Sequence, residues 1–441
     1  MVRIKDIAQH EGKDVQLQGW MFNRRGSKRF VFMQIRDGSG FIQGVLNRDE
    51  VDEVLFDQIK RLPLESSVTV TGTVAADTRS KLGYELHVKD VRVIQSAQEY
   101  PIGKKEHGPD FLMQHRHLWI RSRRQHVVLR VRHSLVKAIR DYFDDRGFLL
   151  FDSPLLTANA CEGTSTLFET PYFGKMAYLS QSGQLYQEAG AMAFGKTYCF
   201  GPTFRAEKSA TRRHLTEFWM IEPEVAFADN DDNMDLAEDF MATVIAKILD
   251  MHGDELRDVL GRDTTALEKT AEGDFPRISY DEAIDTLQRL HSECEDPETK
   301  QHLAIEWGSD FGGRHETELT KLYDRPVQVY DWPYAVKAFY MKRSERDPRL
   351  ARCVDVLAPE GYGEIIGGGQ REDNLEILEA AIQHHELDPA DFTWFTDLRR
   401  YGSVPHAGFG LGLERTVAWV CGLQHVRETI PFARTIDRLN P

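Results

Sequence analysis

The residues best suited to chemistry lie in one short run. Gly201-Pro-Thr-Phe-Arg-Ala-Glu207 is followed by Lys-Ser-Ala-Thr-Arg-Arg-His214, and then by Leu-Thr-Glu-Phe-Trp-Met-Ile-Glu-Pro-Glu224. The run reads as two strands joined by a short basic loop, with Arg205 and Glu207 on the same face of the first strand, two residues apart. A guanidinium clamps a phosphate with its planar fork. A glutamate two positions on accepts a hydrogen bond from an exocyclic amine. The pair suits a nucleoside triphosphate, base at one end and phosphates at the other. No Gly-x-x-x-x-Gly-Lys-Ser/Thr loop is present, so an ordinary phosphate-loop enzyme is excluded.

A second signal is Gly408-Phe-Gly-Leu-Gly-Leu-Glu-Arg415. Glycines there allow tight packing and a close approach of ligand to backbone. Arg415 falls in the first turn of a helix, where the dipole favours anions and a cation gains nothing. An anion attracted by both the arginine and the helix start accounts for it; a surface arginine is the alternative. Glu364 precedes Gly367-Gly-Gly-Gln-Arg371. Beside a triphosphate a carboxylate is a natural magnesium ligand, because magnesium prefers oxygen donors shared with phosphates. Asp355 is a second candidate. Taken singly, each carboxylate fits a surface or core-edge position as well.

These residues need strands and helices to hold them. Residues 14–26, 29–38, 40–47, 66–78 and 84–95 read as five short strands, with alternation clear in Val68-Thr-Val70 and Tyr84-Glu-Leu86-His-Val88. An amphipathic helix at about 50–62 sits between the third and fourth. That is the layout of an oligonucleotide-binding barrel, with an unrelated small barrel as the alternative. Residues 99–117 read as a linker or hinge, with Pro101, Gly103 and Gly108. A long helix is expected from about 118 to 147, carrying Val127, Leu129, Val131, Leu135, Ile139 and Phe143 on its apolar side and ended by Gly147. A strand, Phe148–Asp152, leads to Pro154. Residues 228–330 are acidic and mostly helical, with no recognisable site. Strands return at 327–331, 337–341 and 363–366, and the chain closes with a strand at 404–409 and a helix at about 411–422. The fold class is α+β, with domains at 1–98 and 118–441.

The bulk numbers agree with two or three globular domains: 441 residues, 41% hydrophobic and 10% aromatic. No apolar run is long enough to span a bilayer, and the N-terminus lacks the apolar core of a signal peptide. Five scattered cysteines without a C-x-x-C pair indicate neither zinc nor disulfides, so a cytoplasmic setting is expected. The net charge of −15 is unevenly spread. Residues 1–98 hold 15 Lys+Arg against 13 Asp+Glu, a surplus of two, and the remainder therefore carries −17. Basic clusters at Arg24-Arg25-Gly-Ser-Lys28-Arg29 and at Arg116, Arg121, Arg123, Arg124, Arg130 and Arg132 could dock a polyanion or form intrachain salt bridges.

In order along the chain, the Pro154 region, Phe204-Arg-x-Glu207 and Gly-x-Gly-x-Glu-Arg415 match the three signature motifs of class II aminoacyl-tRNA synthetases. With the N-terminal barrel, the whole chain resembles the aspartate/asparagine/lysine subgroup. The likeness is strongest to its asparagine-specific members, through Gln181-Ser-Gly-Gln-Leu-Tyr-Gln-Glu188 and Glu217-Phe-Trp-Met-Ile-Glu-Pro-Glu224. The resemblance implies a catalytic domain built on an antiparallel sheet flanked by helices. It implies ATP and Mg2+ as cofactors, asparagine and tRNA-Asn as partners, and a homodimer joined through residues 118–154.

The same resemblance implies residue roles. Arg205 holds the α-phosphate and stabilises charge during attack by the amino-acid carboxylate. Glu207 reads the adenine amine, and Phe218 stacks on the ring. Arg415 binds the γ-phosphate with His214 assisting, and Arg213 and Gly412 complete the ATP set. Glu364 and Asp355 hold magnesium. For the amino acid, Arg371 donates to the side-chain oxygen and Glu222 accepts from its NH2. Ser182 and Gln184 lie near the α-amino group, with Glu162 closing over it. Aspartate-specific relatives carry a lysine where Gln187 stands and an aspartate where Glu222 stands. One cation is gone, which disfavours an anionic substrate. On the barrel, Phe32 and Gln43 match residues that stack on and read the central anticodon uridine, with Arg25 meeting phosphate or base. Core packing is the alternative for Phe32. The rival functions are an aspartate-specific or relaxed enzyme of the same subgroup, an asparagine-forming amide ligase and a catalytically silent RNA-binding paralogue. The last should have lost Arg205, Glu207, Glu364 or Arg415, and all four are present.

Overall fold

The computed structural model describes residues 2–103, 105–158, 160–161, 166–209 and 211–441. The chain divides into two compact units, Met1–Leu112 and Met113–Pro441.

In the first unit the strands Asp14–Gly26, Phe30–Arg36, Phe41–Asn47, Ser67–Ala76 and Tyr84–Gln95 close into a barrel. The helix Glu53–Arg61 falls between the third and fourth strands, capped by Asp52, which accepts from the amides of Val54 and Leu55. Period-2 alternation decides which side chains fill the barrel: Val15, Leu17 and Met21, Val31, Met33 and Ile35, and Ile42 and Leu46 are buried. Each contributes about 1.5–3 kcal/mol by leaving water. Phe56 and Ile59 of the helix join this core.

The second unit is built on an eight-stranded sheet. Its order is Arg277–Ser279, Val327–Pro333, Leu350–Ala358, Gly363–Gln370, His406–Gly412, Glu217–Ala226, Lys196–Phe204 and Leu149–Leu150. The six central strands are antiparallel, but Arg277–Ser279 and Leu149–Leu150 pair in parallel at the edges, so the sheet is mixed. Alternation again separates two faces. Tyr198 and Phe200, Ile221, Ile366, and Phe409 and Leu411 point into a core with Tyr142 and Phe143, Phe240, Val417 and Trp419. Those partners come from the helices Arg123–Asp145, Asn230–Glu255 and Leu413–Cys421. On the opposite face, Phe218, Met220, Glu222 and Glu224 alternate with this core set.

Glu414 ties three elements together. Its carboxylate accepts from the Trp219 amide at 2.9 Å and pairs with Arg132 at 2.7 Å, with Glu414 buried and Arg132 nearly so. Removing one member of a buried pair leaves the other uncompensated. Glu414→Ala should therefore lower unfolding free energy by about 3 kcal/mol in denaturant melts.

Several elements differ from the sequence expectation. The long helix begins at Arg123, where Ser122 caps it, and is separated from a short turn of helix at Arg116–Trp119. Residues 337–341 are not a strand. Pro333 ends the preceding strand, a 3-10 turn follows at Tyr334–Val336, and burial of Phe339 and Tyr340 then fixes an irregular path. The strand beside Glu364 is instead Leu350–Ala358, whose alternation is hidden because both its faces are covered. The basic run from Arg116 is largely consumed internally. Arg116 is buried and donates to the carbonyls of Pro431 and Ile430, Arg132 pairs with Glu414, and Arg130 pairs with Glu255.

Candidate active site

The cleft lies on the open face of the sheet. Phe218, Met220, Glu222 and Glu224 run along one strand at two-residue spacing, so their side chains share a face. Six steps of about 3.4 Å from Phe218 to Glu224 give a row of roughly 20 Å. The neighbouring strand stays low beside it: any Cβ at Gly408 would run into the Glu224 carboxylate.

At the Phe218 end, a cleft enclosing about 640 Å³ of space open to solvent is lined by Arg205, Glu207, Arg213, His214, Phe218, Glu364, Gly412 and Arg415. All eight residues expected to bind ATP therefore meet in one place. Arg205 and Glu207 do not sit on the strand itself, which ends at Phe204. The Arg205 amide bonds the Thr216 carbonyl at 3.1 Å, and its guanidinium lies 5.4 Å from the centre of the Phe218 ring. Glu207 faces His214 at 3.4 Å. Burial and the nearby Arg415 hold the His214 imidazole below its ordinary value. Arg213 donates to Glu316 and Thr317, each at 2.8 Å, and to the Gly361 carbonyl at 2.6 Å. Glu316 comes from the helix Gly313–Thr320, inside the acidic segment that carries no recognisable motif.

The two expected magnesium ligands converge. Arg415 donates to Glu364 at 2.9 Å, and Lys337 pairs with Asp355 at 2.7 Å. A Cβ at Gly367 would lie 2.8 Å from one Glu364 oxygen and 3.5 Å from one Asp355 oxygen, so the bare glycine leaves a cradle faced by both carboxylates. Burial pushes Asp355 up, Lys337 opposes this, and the facing Glu364 adds to the rise. Two hard oxygen donors across an open space, with Asp355 raised partly by the facing Glu364 charge, fit a divalent cation such as Mg2+.

At the other end, Glu222 is buried and held by three donors. These are the Ser182 hydroxyl, the Gly183 amide at 2.8 Å and the Cys199 thiol at 3.3 Å. Burial and the Glu222 charge push that thiol well up, keeping it a donor. Arg371 is not a lone cation. Its Nε and Nη2 clamp Glu224 at 2.9 and 3.0 Å, leaving Nη1 beside the Met341 sulfur at 3.7 Å. Burial works against the Arg371 cation, but Glu224 outweighs it. Gln184 donates to Glu188 at 2.9 Å, and Glu188 also meets Arg399 at 2.5 Å and His406 at 3.0 Å, all fully buried. Burial alone would raise Glu188; Arg399 and His406 reverse this and bring it down to about 2. Gln187 is fully buried, and its amide donates to the Phe151 carbonyl at 2.6 Å and to Ser153 at 3.1 Å. Glu162 lies outside the described residues.

Glu224, Glu188, Arg399, His406, Lys337 and Glu316 were not singled out from sequence. Only Glu224 left a usable signal, since it follows Glu222 by one strand period and a buried Arg371 needs a counterion.

On the barrel, Arg25 pairs across from Phe32, and Gln43 across from Gln34. Phe32 is 38% exposed, which rules out core packing for it. It stands beside Phe30, with ring centres 6.1 Å apart. Gln43 donates to Glu85 at 3.1 Å, and Arg25 is exposed.

Residues 108–436 match the family described as tRNA synthetases class II (D, K and N), and residues 15–94 match the OB-fold nucleic acid binding domain. The chain is 55% identical over 449 residues to the asparagine–tRNA ligase of Sorangium cellulosum, covering 100% of this chain and 99% of that one. It is 52% identical to the asparagine–tRNA ligase of Thermus thermophilus, with full coverage of both. Asparaginyl-tRNA synthetase from Pyrococcus horikoshii, solved with asparaginyl-adenylate, superposes with a TM-score of 0.92 at 44% identity, covering 98% of this chain and 97% of that one. Two signature-bearing strands, a barrel with an exposed aromatic face and these full-length likenesses agree: the chain belongs to the class II aminoacyl-tRNA synthetases of the aspartate, lysine and asparagine subgroup, as an asparagine–tRNA ligase.

Proposed function

We propose that the cleft joins asparagine to ATP along the row Phe218–Glu224 and then passes asparagine to the 3′-terminal adenosine of tRNA-Asn. That row is the observation that carries the reading, with an adenine-sized aromatic end, a carboxamide-sized polar end and cations beside both. Adenine stacks on Phe218 and donates its amine to Glu207. An asparagine carboxylate oxygen attacks the α-phosphorus, the bond to the bridging oxygen breaks and pyrophosphate leaves. The nucleophile is already ionised, so no general base is needed. Arg205 stabilises charge at the α-phosphoryl group, and Arg415, Arg213 and His214 hold the γ-phosphate. The work is positioning and charge stabilisation. Glu364 and Asp355 would hold Mg2+, which would supply neutralisation of the phosphate charge. Side-by-side ATP–pyrophosphate exchange with asparagine and aspartate tests the reading; equal activation of aspartate would overturn the specificity.

The carboxamide is selected by charge. Arg371 is already matched by Glu224, so its Nη1, whose partner is the weakly accepting Met341 sulfur at 3.7 Å, offers a hydrogen bond to the amide oxygen without a net positive charge. Glu222, pinned by three donors, accepts from the NH2. Aspartate would bring a second anion to Glu222 with no cation to spare, and a desolvated, unpaired carboxylate costs several kcal/mol. Ser182 and Gln184 serve the α-amino group, with Glu162 closing over it. Gln187 contributes by not being a cation.

The barrel reads the anticodon. Arg25, Phe32 and Gln43 share its outer face, and single-stranded bases are held by stacking and edge hydrogen bonds. Stacking is worth about 1–3 kcal/mol per base. Phe32→Ala should therefore cut kcat/KM for tRNA charging by about 10- to 100-fold, with asparagine-dependent exchange unchanged. A parallel fall in both activities would make Phe32 structural.

The working form is a homodimer, supported by the exposed Leu149, Leu150, Leu155 and Leu156 in the segment after the Arg123–Asp145 helix. A cytoplasmic location agrees with five free cysteines, four of them buried. Among the described residues no helix is long and apolar enough to cross a membrane.

A further inference from the structure

A second cavity adjoins the nucleotide cleft, enclosing about 760 Å³ of space open to solvent. Arg213, Arg415 and Val426 line both cavities and so form their shared wall. Beyond that wall the cavity takes Arg212 and Lys321, which the synthesis reaction described above does not use. Its one lining carboxylate, Glu360, is clamped by Arg262 at 2.7 and 2.5 Å. His425 is held down to about 4 by burial and by Arg427 and Arg212, so it adds no charge at neutral pH. Lys321 pairs with Glu318 at the surface, and among the described residues Arg212 donates to the neutral amide oxygen of Gln424, at 3.5 Å. The cavity therefore faces a ligand with four cations, of which Arg213, Arg415 and Lys321 are paired with Glu316, Glu364 and Glu318 outside its lining, and one carboxylate that is already matched.

We propose that this cavity is a pyrophosphate subsite, receiving the leaving group as it parts from the adenylate and releasing it to solvent. The proposal rests on the adenylate reading above. Once asparaginyl-adenylate fills the row from Phe218 to Glu224, that direction is closed to a departing polyanion. Arg213 and Arg415 hold the γ-phosphate from one side of the wall and present charge on the other. Arg212 and Lys321 continue the cations outward, giving pyrophosphate a path along which its charge stays matched.

The test is the exposed pair Arg212→Ala and Lys321→Ala, singly and together, with Arg212→Lys and Lys321→Arg as charge-preserving controls. Titration of the full-length protein with inorganic pyrophosphate should show the dissociation constant rising about tenfold per cation removed. The KM for pyrophosphate in exchange should rise in step. The KM values for ATP and asparagine in aminoacylation should stay within about twofold, and the charge-preserving variants should recover most of the pyrophosphate affinity. An unchanged pyrophosphate constant in the double variant overturns the subsite even where asparagine-dependent exchange is normal. An equal rise in the KM for ATP overturns it too, by making both residues part of the ATP site. Absence of asparagine-dependent exchange in the unmodified protein would overturn the adenylate reading and this exit role with it.

Discussion

Arg205→Ala is expected to lower kcat for asparagine-dependent ATP–pyrophosphate exchange by about 10²–10³-fold, with a smaller rise in the KM for ATP. Removing one preorganised donor from a developing charge costs about 2.7–4 kcal/mol. The geometry separates the two effects. The guanidinium lies 5.4 Å from the Phe218 ring centre, so it stands where the base end of the nucleotide meets the phosphates. Losing its contact with the ring weakens ground-state binding by about 0.5–1 kcal/mol. Losing its fork removes a contact that strengthens as the α-phosphoryl group is transferred. Arg205→Lys keeps the charge but loses the bidentate geometry, and should recover the KM more fully than the kcat. If Arg205→Ala raised the KM alone, Arg205 would be a binding group and the assignment of charge stabilisation would fail.

The residues that act on ATP were legible because they are short-range patterns. Arg205 and Glu207, the Gly-x-Gly-x-Glu-Arg415 end and the glycine run after Glu364 each announce themselves within about ten residues. The barrel was legible for the same reason: alternation of Val31, Met33 and Ile35 with Phe30, Phe32 and Gln34 is local. What stayed hidden is the set of counterions. Glu316 steadies Arg213 from 103 residues away, and Glu188 meets Arg399 across 211. Lone charged residues in an acidic helical stretch look solvated until the fold buries them. The strand Leu350–Ala358 was missed because burial on both faces erases the period-2 signal. In the same way, Glu224 clamps Arg371 from 147 residues away, and its two-residue spacing from Glu222 is the one local trace of that pairing.

That last pairing sets the second large effect. Glu222→Gln should collapse the preference for asparagine over aspartate, lowering the ratio of their kcat/KM values by about 10²–10³-fold. Two unit charges about 4 Å apart repel by about 4 kcal/mol at an effective dielectric of 20, and each 1.4 kcal/mol is a factor of ten. A glutamine keeps one oxygen to accept from Gly183 and Cys199, and its amide nitrogen can donate to the Ser182 hydroxyl oxygen, so the pocket wall should survive while the repulsion goes. Asparagine activation itself should fall, because a neutral amide is a poorer acceptor for the substrate NH2 than a carboxylate. Gln187→Lys approaches the same end from the other direction. It adds a cation one helical turn beyond Gly183, against the Phe151 carbonyl and Ser153 that now hold the glutamine amide. Its effect should be smaller, because burying an ammonium carries its own desolvation penalty. Both variants shift the pocket by one positive charge, so both must move the ratio toward aspartate. A ratio unchanged in Glu222→Gln would mean that shape, and not charge, excludes the acid, and the matched Arg371–Glu224 pair would lose its role in selection.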